Sequence, residues 1–289
     1  MSPWAGPAVV LAVLVAAVLH ASWNAIVKGA GDQIGIFARS SLVGVVVCAV
    51  GLWFVDMPAT ASWSWLITSV VIHVCYNLGL LAAYRLGDFN QTYPLARGLG
   101  PVVVAVVAAL ALDEPLAPLP AVGVLVIAGA IGVLGLTPWR RVRANRPAVL
   151  AALFTGLTIA TYTLTDGVGV RASGNAAGYT LWLIGLECAA TAVLAVALRR
   201  RRTTGTPMLA AGGRAWLAAT AVTVMSTLAY GLVLWAQTRG ALAAVAALRE
   251  SSVVVAAVIG VLAFKEPMGR LRIAASVAVA VGVALLAIP

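Results

Sequence analysis

The chain has 289 residues, 62% of them hydrophobic and only 10% charged, with a mean hydropathy of +1.03. Soluble globular chains are about half apolar and about a quarter charged, so this composition excludes an ordinary soluble domain and implies an all-α polytopic membrane protein. The net charge of +10 does not point to nucleic acid, because the basic residues fall in short loops between apolar runs, where membrane topology places them.

A run of about 20 apolar residues crosses the hydrocarbon core of a bilayer. Ten transmembrane helices are expected, over residues 4–27, 34–54, 63–84, 89–112, 118–136, 148–168, 178–198, 215–237, 242–264 and 270–288. The separators are rich in Gly, Pro, Asp and Asn, which suit turns. No Lys or Arg precedes the first run, so it reads as a permanent helix rather than a signal peptide. Its His20, Asn24 and Lys28 recur at every fourth residue and share one face, with Trp23 one step away. That face either lines a cavity or bonds neighbouring helices, with Lys28 snorkelling to the interface.

Arg39, with Ser40 and Ser41, lies near the start of the second run, where snorkelling accounts for it at least as well as a functional role. In the third, His73, Tyr76 and Asn77 form a polar stripe that should face the interior, while Tyr84 reads as an interfacial anchor. In the fourth, Tyr93 and Arg97 are one turn apart, bracketed by Pro94, Gly98, Gly100 and Pro101. Proline removes a backbone donor and glycine lets helices approach closely, so this segment is expected to line the pathway and to deform there during the transport cycle. Asp166, near the expected end of the sixth run among threonines, reads as a turn or cap residue. Glu187 stands in the middle of the seventh run, and Arg249 and Glu250 are adjacent in the ninth.

An ionisable residue inside a span is a functional candidate by default. At about 1.5 Å per residue, Arg97 and Arg249 flank the membrane midplane from opposite sides. A guanidinium grips carboxylate or phosphoryl oxygens bidentately, so both arginines are candidates to hold the acid group of a substrate. Internal pairing with Glu250 or Glu187 is the competing reading, and both stay open at this point. Tyr93, Tyr76, Asn77, His20, Trp23 and Asn24 are candidates to shape the same site. Glu250 and Glu187 are candidates for proton coupling, since a carboxyl group in a site of alternating access can load and release a proton. Cys48, Cys75 and Cys188 sit in apolar runs without metal-ligand spacing. There is no HExxH, GxSxG or Walker sequence, so neither enzyme activity nor a cofactor or metal is expected.

Loops after the odd-numbered spans hold 14 of the 19 Lys and Arg residues, and the opposite loops hold two. The positive-inside rule puts the 14 in the cytoplasm and both termini outside. Shifting the sequence on itself by 152 residues aligns Arg97 with Arg249, Glu114-Pro115 with Glu266-Pro267, and the Val-Ala runs between them. The spans therefore divide into two five-helix repeats, residues 1–139 and 148–289, joined by a basic loop over 140–147. An odd number of spans per repeat makes the second copy inverted, a transporter architecture that binds substrate between the halves.

With these features the chain resembles the drug/metabolite transporter superfamily of the EamA type. The carriers are the two halves, their Glu-Pro endings, and the segments 20–28 and 93–101, which resemble one bacterial branch. Members usually show Gly-Glu where this chain has Asp113-Glu114 and Lys265-Glu266. The resemblance implies secondary transport, often efflux, of a small metabolite across the bacterial cytoplasmic membrane. Members generally keep both termini inside; the charge count here says the reverse and is retained. The expected partners are a small-molecule substrate and the lipid bilayer, a homodimer being left open. A lipid-headgroup flippase of the same fold and a non-transporting scaffold are the alternatives.

Overall fold

Hydrophobic runs this long have only one way to satisfy their backbone in lipid without forming a closed barrel, which is to become helices. The computed structural model describes residues 6–86, 89–137, 145–200, 211–264 and 269–287, and no strand occurs among them. The helices are α1 (Pro7–Gly29), α2 (Gln33–Gly51), α3 (Trp63–Leu86), α4 (Phe89–Ala111), α5 (Pro118–Leu136), α6 (Arg146–Ser173), α7 (Ala176–Arg200), α8 (Gly213–Gln237), α9 (Leu242–Arg249), α10 (Ser252–Phe264) and α11 (Arg270–Ala287). Seven segments among the described residues are long and apolar enough to cross a membrane, and three shorter apolar helices accompany them: Leu95–Ala111, Pro118–Leu134 and Ile273–Leu286. Large apolar side chains such as Leu11, Leu110, Leu150, Val193 and Leu217 point outward, a surface that suits lipid rather than water.

Local chemistry sets the helix ends. Proline opens α1 and α5 at the first turn, where its missing N–H is not needed. Asp32 caps α2 by accepting from Gly35 N at 2.8 Å, and Asn145 caps α6 by accepting from Ala148 N at 3.3 Å. Gly174, at φ 64°, ends α6 in the left-handed conformation that favours glycine.

The first five helices pack largely against the later ones: α1 on α8, α2 on α7, α3 on α6, and α5 on α11. Glycines allow the closest approaches. A Cβ on Gly156 of α6 would stand 2.7 Å from the Ala96 carbonyl oxygen of α4, and one on Gly123 of α5 would stand 2.8 Å from the Gly282 carbonyl oxygen of α11. Backbone contact of this kind is how helices associate when no water remains to be expelled.

α4, the helix expected to deform during the transport cycle, runs unbroken here from Phe89 to Ala111 through Pro94 and Pro101. An interruption does occur elsewhere, and there one expectation about helix shape needs correction. The interruption lies in the ninth span, expected as one helix over 242–264, where α9 ends at Arg249 and α10 begins at Ser252. Glu250 N bonds Ala247 O at 3.0 Å, Ser251 N bonds Leu248 O at 3.1 Å, and Val253 N bonds Glu250 O at 2.9 Å. These three-residue bonds wind the chain more tightly than an α-helix. The tightening swings Arg249 and Glu250 farther apart around the axis, so that adjacent charges serve different neighbours.

Candidate functional site

At the centre of the bundle is a cavity of about 150 Å³. His20 and Trp23 line it from α1, and their rings meet edge to face at 5.1 Å. From α3 come His73, Tyr76 and Asn77, the stripe expected to face the interior. Tyr162 of α6, Glu187 of α7, Tyr230 of α8 and Arg249 of α9 also line it, with hydroxyls such as Ser40 and Ser41 of α2 and Thr191 of α7 between them.

The two aligned arginines have different fates. Arg97 is buried and its Nε donates to Glu250 Oε2 at 2.8 Å, while its Nη2 donates to Ser252 Oγ at 3.4 Å. It does not line the cavity, and neither does Glu250. Arg249 is also buried but lines the cavity, with its guanidinium carbon 5.7 Å from the Tyr162 ring centre, within reach of a cation–π attraction. Its Nε makes no hydrogen bond, and among the described residues no carboxylate forms an ion pair with it. A buried guanidinium donor left unsatisfied is costly, so this end of the cavity favours an arriving acceptor.

The acidic candidates separate in the same way. Glu187 accepts from Asn77 Nδ2 at 3.2 Å, and Asn77 also donates to Thr191 Oγ1 at 3.2 Å, all three residues lining the cavity. Asn24 turns back on its own helix, donating to His20 O at 2.8 Å, and is absent from the lining. The side chain of Tyr93 lies outside the described residues. Arg39, for which snorkelling and a functional role were both open, is buried with an unpartnered Nε.

One residue was misread from the sequence. Asp166 is fully buried and accepts from the hydroxyls of Tyr179, at 3.1 Å, and Tyr230. It looked like a turn residue because the sixth span was expected to stop at residue 168, whereas α6 continues to Ser173. The usable signal was Tyr162 and Asp166 at one-turn spacing, which puts the carboxyl on the same face as a ring of the cavity.

Farther along α6, Arg171 donates to Gln237 O at 2.7 Å, to Gly240 O at 2.8 Å and to the Glu114 carboxylate. Glu114 also accepts from Leu242 N at 3.2 Å, capping α9. The acidic residue of the first Glu-Pro ending thus ties three chain segments together; Glu266 lies outside the described residues.

Residues 146–288 match the sequence profile of the EamA-like transporter family. This half of the chain belongs to that family. The EamA-like family is part of the drug/metabolite transporter superfamily. With the apolar helices, it makes this an integral membrane protein and a transporter of small molecules. A solved protein crystal structure superposes with a TM-score of 0.77 over 96% of each chain at 18% identity; at that identity the likeness is one of fold alone. No curated protein sequence matches the chain. The EamA-like half supplies α6 to α11, and with them Tyr162, Glu187, Tyr230 and Arg249 of the cavity.

Proposed function

We propose that this protein is a secondary-active exporter of a small anionic or zwitterionic metabolite, working by alternating access between two inverted five-helix halves. The observation that carries the reading is Arg249: a buried guanidinium lining a central cavity, with Nε unpartnered. Such a group recognises a carboxylate or phosphoryl oxygen. Glu187, on the same cavity, offers the opposite charge to the amine of a zwitterion.

Helix packing supports the two halves. Take α9 and α10 together as the ninth span. Exchanging each span with the one five places away turns the α1–α8 contact into the α6–α3 contact, and leaves the α2–α7 and α5–α11 contacts unchanged. A molecule built from two related halves has this property. The three shorter apolar helices then cross as well, making ten spans, and the charge bias sets both termini outside.

The sequence left two roles open for Arg97. Its pair with Glu250 supports the structural one, so Arg249 and not Arg97 is the substrate ligand. The test is a thermal-shift screen of the purified protein in detergent against small carboxylates, phosphates, phosphonates and amino acids. A stabilising compound is expected, and its effect is expected to vanish in Arg249→Ala. A stabilising compound whose effect survives unchanged in Arg249→Ala overturns the arginine site.

A further inference from the structure

Asp166 has no part in the reading above, yet it is a fully buried carboxyl group inside a membrane helix. An ionisable group in that position is a functional candidate by default. Its surroundings are specific. Tyr179 of α7 donates to Oδ1 at 3.1 Å, and Tyr230 of α8 donates to Oδ2. Ser69 and His73 of α3 stand beside the carboxylate, and His73 Nδ1 is itself held by Ser69 O at 2.9 Å. Tyr162, one turn away on α6, stacks on His73 at 4.2 Å. Beyond them, Tyr76 of α3 lies edge-on to Tyr162, α9 contributes Arg249 over the same ring, and α4 contributes Arg97, bound to Glu250. No arginine or lysine among the described residues forms an ion pair with Asp166.

Of the groups beside the carboxylate itself, His73 and Tyr230 also line the cavity, as do Tyr162, Tyr76 and Arg249 beyond them. Asp166 is therefore one side chain away from the space assigned to substrate. That arrangement has a chemical consequence for Tyr230. While Asp166 is ionised it can only accept, so the Tyr230 hydroxyl spends its single hydrogen on Oδ2 and shows the cavity lone pairs. When a proton adds to Oδ2, the new carboxyl O–H donates to Tyr230 Oη. The tyrosine hydrogen is then free to turn toward the cavity. The proton is conserved throughout: one enters from solvent and resides on the carboxyl group.

We propose that Asp166 is a proton-binding site of this transporter, set behind the cavity and read out there by Tyr230. Protonation converts Tyr230 from an acceptor into a donor facing the substrate, so the proton on Asp166 changes what the cavity offers to a substrate. The proposal deepens the transport reading and moves proton coupling from Glu250 and Glu187 to Asp166. Glu250 is engaged by Arg97 and Glu187 by Asn77.

The test is a pH titration followed by infrared difference spectroscopy, on the full chain in lipid nanodiscs with no substrate added. A protonated-carboxyl band is expected to appear and disappear as the pH is varied. It should be lost in Asp166→Asn and retained in Glu187→Gln and Glu250→Gln. In Tyr230→Phe, which removes one hydroxyl and is the safer variant for folding, the band should persist. Its midpoint should move by roughly tenfold in proton concentration, toward tighter proton binding, for one lost hydrogen bond to the charged form. A band that survives in Asp166→Asn, or a midpoint unmoved in Tyr230→Phe, overturns the proposal. Because no substrate is involved, this titration and the thermal-shift screen fail independently.

Discussion

α4 and the α9–α10 segment share an arginine at the same place in the 152-residue offset, yet they solve the burial of that charge differently. α4 carries two prolines and two glycines around Arg97 and stays a single helix. The α9–α10 segment carries neither proline nor glycine near Arg249 and breaks one residue beyond it. Arg97 is neutralised by a neighbour, while Arg249 is held over a tyrosine ring and left with an unpartnered donor on the cavity. The lesson is that backbone breakers permit a distortion without requiring it. Here a buried ion pair between residues 153 apart accompanies the break.

The sharpest way to break this contrast is to remove one partner of the pair. Arg97→Ala strands Glu250 as a buried charge and is expected to cost about 3–5 kcal/mol of stability. Thermal denaturation in detergent checks this. The double change Arg97→Met with Glu250→Leu should recover most of the loss, because neither charge then remains. A smaller effect tests how α4 is seated. Gly156→Leu pushes α6 away from Ala96, next to Arg97, and should cost about 1–3 kcal/mol by overpacking, read in the same melt. Smaller again, Glu114→Ala removes the cap of α9 and the Arg171 partner. About 1 kcal/mol is expected, the value of a cap on a partly exposed group, and hydrogen exchange should rise first at the Leu242 amide. The smallest stability loss belongs to Arg249→Ala, because no ion pair among the described residues is broken and only its contact with the Tyr162 ring is lost. A large loss there would erase the distinction between the two arginines.

Much of the fold was legible because hydropathy and turn residues are local signals. The runs ending at Phe54, Leu136 and Gln237 match helical segments ending at those residues. The His73–Asn77 stripe was legible for the same reason: polar side chains on an apolar helix have few other places to go. What could not be read were features made by distant partners. The break at Glu250 had only a weak local signal, Ser251 and Ser252 ahead of a valine run, and its counterpart is on α4. Arg249 and Glu250 are adjacent in sequence, and no periodicity says which faces the cavity. Asp166 was lost to a boundary set too early, because the glycines at 167 and 169 resemble a helix end. They instead sit under Leu242 and Tyr179, where a Cβ would clash. Reading them as packing residues would have put Asp166 well inside the helix.

The clasp at Glu114 has a mechanical consequence. α9 is fastened near its first residue by the Glu114 carboxylate, three residues past the end of α4, and just past its last residue by Arg97 of α4 itself. An eight-residue rod pinned at both ends to the same beam rides with that beam. The joint to α10 at Glu250–Ser251 is where such a splint can articulate, and Arg249 is the residue next to it. A molecule that grips Arg249 therefore pulls on the joint directly, with no lever arm between binding and bending.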